Sequence, residues 1–367
     1  NADDSGKGLF KYAPPTGFLA LCADNLPAPA PADPGKHFKT VLWTGDGKRG
    51  RGITGVGFKP DFVWIKDRGD TSSHSLFDSV RGPGIWLGSN STSDEQTSFV
   101  NVYNPSFDDD GFSVGTDGAV NGSGSPYVAW CWKAGGAAVS NTDGALTSQV
   151  SVNQTAGFSI ATYTTPNGNA TNFGHGLGKK PAFALFKARN DSGNWAVYHQ
   201  SLGTNTIRLS SPDPEDTNVD AFNSTAPTDT LMYLGTWAGT TGSNVNWISY
   251  LWSEIENYSK FGSYIGNGSN NGPFVYCGFK PAWVLIKKTD GSGNENWRLF
   301  DSARCPTNQN NKHLLPSSNS NESTETGIDL LSNGFKVRDD DSHENQDETT
   351  YIFAAFAESP FQTANAK

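Results

Sequence analysis

The residues best placed to do chemistry recur at matched positions along the chain. Lys66, Lys187 and Lys287 each lie six residues beyond a proline, at Pro60, Pro181 and Pro281. A catalytic lysine would need a substrate pocket and an amine pKa lowered by burial. An ion pair with the aspartate downstream is the reading favoured here, to Asp78 in the first stretch and Asp301 in the third, because enzymes rarely triplicate an active site in tandem. His199 stands at the corresponding place in the middle stretch, so that pair is not common to all three. An autocatalytic Lys–Asn or Lys–Asp cross-link of the kind found in β fibres is the further alternative.

Carboxylates cluster twice, as Asp108, Asp109 and Asp110 in "FDDDG" and as Asp339, Asp340 and Asp341 in "RDDDSHENQDE". Paired acids would suit glycoside hydrolysis, and clustered acids would suit Ca²⁺. Both clusters, however, lie between strand-like runs, where Asp and Gly are ordinary turn formers, and the ligand spacing of an EF-hand is absent. The six His residues show no metal-ligand spacing, and Cys22, Cys131, Cys277 and Cys305 form no C-x-x-C, so free thiols and no cofactor are expected, with Ca²⁺ at the acidic clusters the alternative. No G-x-S-x-G elbow, P-loop or dinucleotide fingerprint occurs. Trp86 and Trp237 have no counterpart elsewhere in the chain and are the candidates for stacking on a glycan. Trp195 and Trp297 stand at matching places and read as packing residues.

The matching extends far beyond the lysines. "GFKPDFVWIKDRG", "GLGKKPAFALFKARN" and "GFKPAWVLIKKTDG" are one sentence written three times. After each proline both alternating sets of positions are apolar, Phe62/Trp64 with Val63/Ile65, Phe183/Leu185 with Ala184/Phe186, and Trp283/Leu285 with Val284/Ile286. A strand apolar on both faces belongs in the middle of a sandwich. The proline at its start gives up no ladder hydrogen bond. Trp43, Tyr163 and Tyr264 precede the anchors at similar distances, and the aromatic runs "YVAWCW", "WISYLW" and "YIFAAF" close the repeats.

Many Gly, Pro and aromatic residues, with few charged ones, point to an all-β protein. The expected layout is an N-terminal strand segment and proline-rich linker at 1–36, three antiparallel β-sandwich modules at 37–136, 157–256 and 257–367, and a small polar linker at 137–156. The last two modules join without a break and should pack closely. The run "GFLALCADNLP" reads as a strand that completes an upstream domain. A net charge of −10 argues against nucleic acid and anionic membranes as partners, and no apolar run is long enough to cross a bilayer as a helix.

Taken together, "ITGVGFKPDFVWIKDRG", "SFDDDGFSVGTDGAVNGSGSPYVAWCWKAGG", "GHGLGKKPAFALFKARNDSGNWAVYHQSLG", "YSKFGSYIGNGSNNGPFVYCGFKPAWVLIKK" and "TYIFAAFAESPF" resemble a family of tailed-bacteriophage virion proteins, described as structural, tail-fibre-like or capsid-decorating. The opening "YAPPTGFLALCADNLP" resembles the closing strand of a concanavalin-like or SPRY-type lectin sandwich. The resemblance implies a non-enzymatic part on the outside of a virion, displayed for host attachment, homo-oligomeric and commonly trimeric, in contact with other virion proteins and a host surface glycan. It brings no catalytic residues. The alternatives are a multivalent carbohydrate-binding array and a tail-associated polysaccharide-degrading enzyme.

Overall fold

The structure is a computed structural model, and it describes residues 1–20, 31, 33–97, 106–290 and 295–357. The first repeat contributes β1 (Phe38–Thr44), β2 (Arg51–Thr54), β3 (Phe62–Asp67), β4 (Ser75–Asp78), β5 (Gly82–Leu87), β6 (Ser106–Asp108), β7 (Gly111–Val114) and β8 (Pro126–Trp132). The second contributes β9 (Val139–Asn141), β10 (Ser148–Asn153), β11 (Phe158–Thr165), β12 (Thr171–Gly174), β13 (Phe183–Ala188), β14 (Ala196–His199), β15 (Ile207–Arg208), β16 (Leu231–Leu234) and β17 (Val245–Trp252). The third contributes β18 (Ser259–Ile265), β19 (Phe274–Tyr276), β20 (Trp283–Lys288), β21 (Arg298–Asp301), β22 (Asn310–His313), β23 (Ser323–Leu331), β24 (Gly334–Val337) and β25 (Thr350–Phe356). The chain is therefore all-β, and every pairing between these strands is antiparallel.

The sheets fall into pairs along the chain. A main sheet ordered β1-β8-β3-β4-β5 faces the smaller β2-β7-β6. The sheet β15-β14-β13-β17-β11-β10-β9 accompanies β12-β16, and β18-β25-β20-β21 accompanies β19-β24-β23-β22. In each main sheet the closing aromatic strand lies beside the anchor strand. Trp132 pairs with Phe62, Trp252 with Phe183, and Phe356 with Trp283.

All six residues of each anchor strand β3, β13 and β20 are buried, as their double apolar pattern requires. The two faces go to different places. Val63 and Ile65 pack with Ile53, Phe112 and Val114 of their own small sheet. Ala184 and Phe186, and likewise Val284 and Ile286, do the same in the other repeats. The opposite faces, Phe62/Trp64, Phe183/Leu185 and Trp283/Leu285, meet in one core shared by all three repeats. At its centre Trp132, Trp252 and Phe356 form a triangle, with ring centroids 5.9, 5.7 and 6.3 Å apart. Aromatic pairs at such distances add about 0.5–1.5 kcal/mol each beyond their buried area.

One expectation about the connections is corrected. Residues 137–156 are not a linker, because β9 and β10 extend the second main sheet, with Val150 opposite Ala161 and Val152 opposite Ser159. The alternation in "SQVSVN" suits a half-buried strand, and the edge of β11 supplies the ladder it needs. The second and third repeats pack closely, with Phe183, Trp252, Trp283 and Phe356 in one core, and the first repeat joins them through Phe38, Trp64 and Trp130. At the N-terminus, residues 1–20 carry no strand. The Asp3 carboxylate gathers the backbone N–H groups of Ser5, Lys7 and Ala20. The rest of the expected orphan strand, with Cys22, lies outside the described residues.

Candidate functional site

The three lysines end their strands at the boundaries between repeats, and all are buried. Lys66 Nζ donates to the carbonyls of Asp67 and Asp70 at 2.6 and 2.9 Å. Lys187 Nζ reaches the Thr92 carbonyl of the first repeat at 3.2 Å, and Lys287 Nζ reaches the Pro212 carbonyl of the second at 3.0 Å. Desolvation brings each amine down to about 8. The expected pairing of Lys66 with Asp78 and of Lys287 with Asp301 is not made. Register is the reason: Asp78 lies opposite Phe62 and Asp301 opposite Trp283, four residues back along the strand from each lysine, or roughly 13 Å.

Those aspartates have other partners. Asp78 is paired with Arg81 and accepts from Tyr250 Oη of the second repeat at 2.7 Å. Asp301 is paired with Arg304 and accepts from Trp130 Nε1 of the first repeat at 3.1 Å. In the second repeat, Leu202 stands where the arginine would be, and Ala354 of the third stands where Tyr250 and Trp130 stand in theirs. Neither a counter-charge nor a side-chain donor is present for an aspartate. His199 fits instead: its Nδ1 accepts from Ser201 N–H, which leaves Nε2 to donate to the Phe353 carbonyl at 3.1 Å. Burial lowers its pKa to about 4, so the ring is neutral near pH 7.

Two further sets of contacts follow the same circuit. Trp195 Nε1 donates to the Gly88 carbonyl and Trp297 Nε1 to the Arg208 carbonyl, both at 2.8 Å. His74 closes the set: its Nδ1 accepts from Trp64 Nε1 and its Nε2 contacts the Leu315 carbonyl at 3.1 Å. The sequence signal for His74 was present, since it precedes "SLFD" as the tryptophans precede "AVYH" and "RLFD". On the backbone, Glu95 N–H donates to Arg189, Glu215 N–H to Thr289 and Glu322 N–H to Arg68, each at 2.9 Å. Arg189–Glu95 and Arg68–Glu322 add forked ion pairs. First meets second, second meets third and third meets first, so the ring closes.

The remaining candidates are dispersed. Trp86 is half-buried on the first repeat's core and donates Nε1 to Ser75 Oγ at 2.9 Å. Trp237 packs on the second repeat's core, with the Arg208 guanidinium 5.6 Å from its ring. Asp110 accepts from the Gly55 and Gly57 N–H groups, and Asp108 from Ser106 and Ser113, while Asp109 and Asp340 are exposed. Asp341 is held well below the usual carboxylate range, first by its hydrogen bond with His343, with Arg298 also nearby. Burial raises Asp339 to about 6. Among the described residues no group of three or more His, Cys, Asp or Glu is placed to hold a metal ion. Cys131 and Cys277 are buried free thiols, and Cys305 is a half-buried one.

No curated protein and no solved structure matches this chain. A family model described as "Domain of unknown function (DUF7483)" matches residues 33–360, a span that runs unbroken through all three repeats. The chain therefore belongs to the DUF7483 family.

Proposed function

We propose that this protein is a non-enzymatic structural component of a tailed-bacteriophage virion surface, a fibre, spike or capsid decoration, exposed to the exterior and used for display and host attachment. The observation that carries the reading is the closed ring. Most of the side chains at matched positions join one repeat to the next: Lys187 and Lys287, Asp78 through Tyr250, Asp301 through Trp130, their substitute His199, and the His74/Trp195/Trp297 set, while Lys66 bonds within its own repeat. Repetition of this kind builds a rigid body rather than a reaction centre. The threefold arrangement expected between chains has a counterpart inside one chain, and several copies on a particle would add weak host contacts by effective concentration.

Mass spectrometry and antibody labelling of purified particles test the reading. The chain should co-purify at fixed stoichiometry and be labelled on intact particles. Its absence from particles, with secretion by uninfected cells, would overturn it.

A further inference from the structure

The repeats supply an internal control. A feature present in all three serves the fold, and an exposed feature confined to one requires another explanation. Outside the N-terminal segment, the exposed large aromatic side chains among the described residues are Phe274 and Tyr276, the latter 63% exposed. They lie two apart on β19 and so on one face of it, while Val275 between them points into the core. The corresponding strands carry Gly52 and Thr54 in the first repeat and Asn172 and Gly174 in the second. The fold is thus made twice without those rings.

Tyr276 borders a cleft of about 440 Å³ between the second and third repeats. Glu254, Glu256, Asn257, Lys260 and Lys179 are among its lining residues, with Lys260 paired to Glu254 at 2.6 Å. Lys179 belongs to "GLGKKP", the point where the second repeat departs from the "GFKP" of the others. The cleft between the first and second repeats, lined by His37, Lys133 and Asn153 among others, has no Phe, Tyr or Trp in its lining.

We propose that the Tyr276 cleft binds a pyranose unit of a bacterial surface polysaccharide. The apolar face of the sugar lies on the Tyr276 ring, Phe274 extends the platform along the strand, and carboxylates, amide and ammonium groups receive the ring hydroxyls. This names the ligand class for the host attachment proposed above and rests on that reading. It replaces Trp86 and Trp237, which pack on their own cores, as the glycan platform.

The test uses the full chain on an array of immobilised capsular polysaccharides and lipopolysaccharide O-chains, with methyl pyranosides followed by saturation-transfer NMR. Binding is expected, about tenfold weaker for Tyr276→Ala and weakened for Glu256→Gln, with thermal midpoints unchanged because both side chains are exposed. A Tyr276→Trp variant should show indole emission that shifts on sugar addition. Failure to bind any arrayed polysaccharide, or equal binding by Tyr276→Ala, overturns the inference. Particle mass spectrometry is independent of these measurements. A chain found on virions that binds no sugar leaves the virion reading intact, and a chain that binds sugar but is missing from virions removes that reading while the cleft stands.

Discussion

At the scale of single residues, the buried lysines and the buried thiols act oppositely on stability. Each lysine has a folded pKa of about 8 against 10.5 in the unfolded chain. Between those values the unfolded state binds more protons, so the lysines make stability rise with pH from about 8 upward, and below 8 they are charged in both states at a constant desolvation cost. Buried Cys131 and Cys277, whose thiols burial pushes up, act in the other direction above the ordinary thiol range. A difference between variants cancels that contribution. Urea titrations of Lys66→Met and the parent should therefore show the variant's relative stability falling as pH goes from 7.5 to about 9.5. A constant difference would mean that the amine is not titrating early. Asp301→Ala takes from buried Arg304 its closest counter-charge and leaves it the Glu322 carboxylate at 3.2 Å, and a loss of up to about 3–5 kcal/mol is expected. More telling is His199→Asp, which restores the residue of the other repeats. With Leu202 in place of an arginine and the Phe353 carbonyl facing it, the new carboxylate should destabilise by at least about 1–3 kcal/mol in the same titration.

At the scale of elements, the axis of the molecule is made of cross-strand pairs, each with one Phe and one Trp. The first two repeats place Phe on the anchor strand and Trp on the closing strand, and the third reverses them as Trp283 and Phe356. The pair fills one volume in either order. Phe356→Trp alone overpacks by about 1–3 kcal/mol, and Trp283→Phe alone leaves a void of similar cost. The double exchange should be nearer the parent than either single variant, measured as a non-additive cycle in chemical unfolding. Additive losses would show that the two sites do not share space. Edge protection also differs by element. The β11 edge is covered by β10, whereas on β18 Phe261 N–H approaches Glu254 Oε2 and its carbonyl accepts from Gln200 Nε2. Side chains thus occupy the edge groups where a further strand would otherwise dock.

At the scale of the whole molecule, a core shared by three repeats and a closed circuit of contacts imply one cooperative unit. Calorimetry should give a single transition with equal calorimetric and van't Hoff enthalpies. A fragment of residues 157–256 alone would leave Phe158, Phe183, Tyr250 and Trp252 facing water and should aggregate or remain unfolded. Independent folding of that fragment, or three separable transitions, would contradict a common core.

What the sequence determined by itself is local or repeated: the strands, the double burial of the anchors, the turn chemistry of the acidic runs and the recurrence of one module. Those follow from side-chain periodicity and from prolines and glycines acting within a few residues. The partners of Lys187, Asp78 and His199, the recruitment of residues 137–156 as strands, the use of one anchor face for a common core, and the aromatic wall at Tyr276 were decided by tertiary structure. Each depends on register or on contact between groups a hundred or more residues apart in most cases, and residue order along the chain carries no record of which carbonyl lies opposite a given amine. The histidine that breaks the repeated aspartate pattern was plain in the sequence, but its reason, an alanine across the boundary that offers no proton, exists only once the ring has closed.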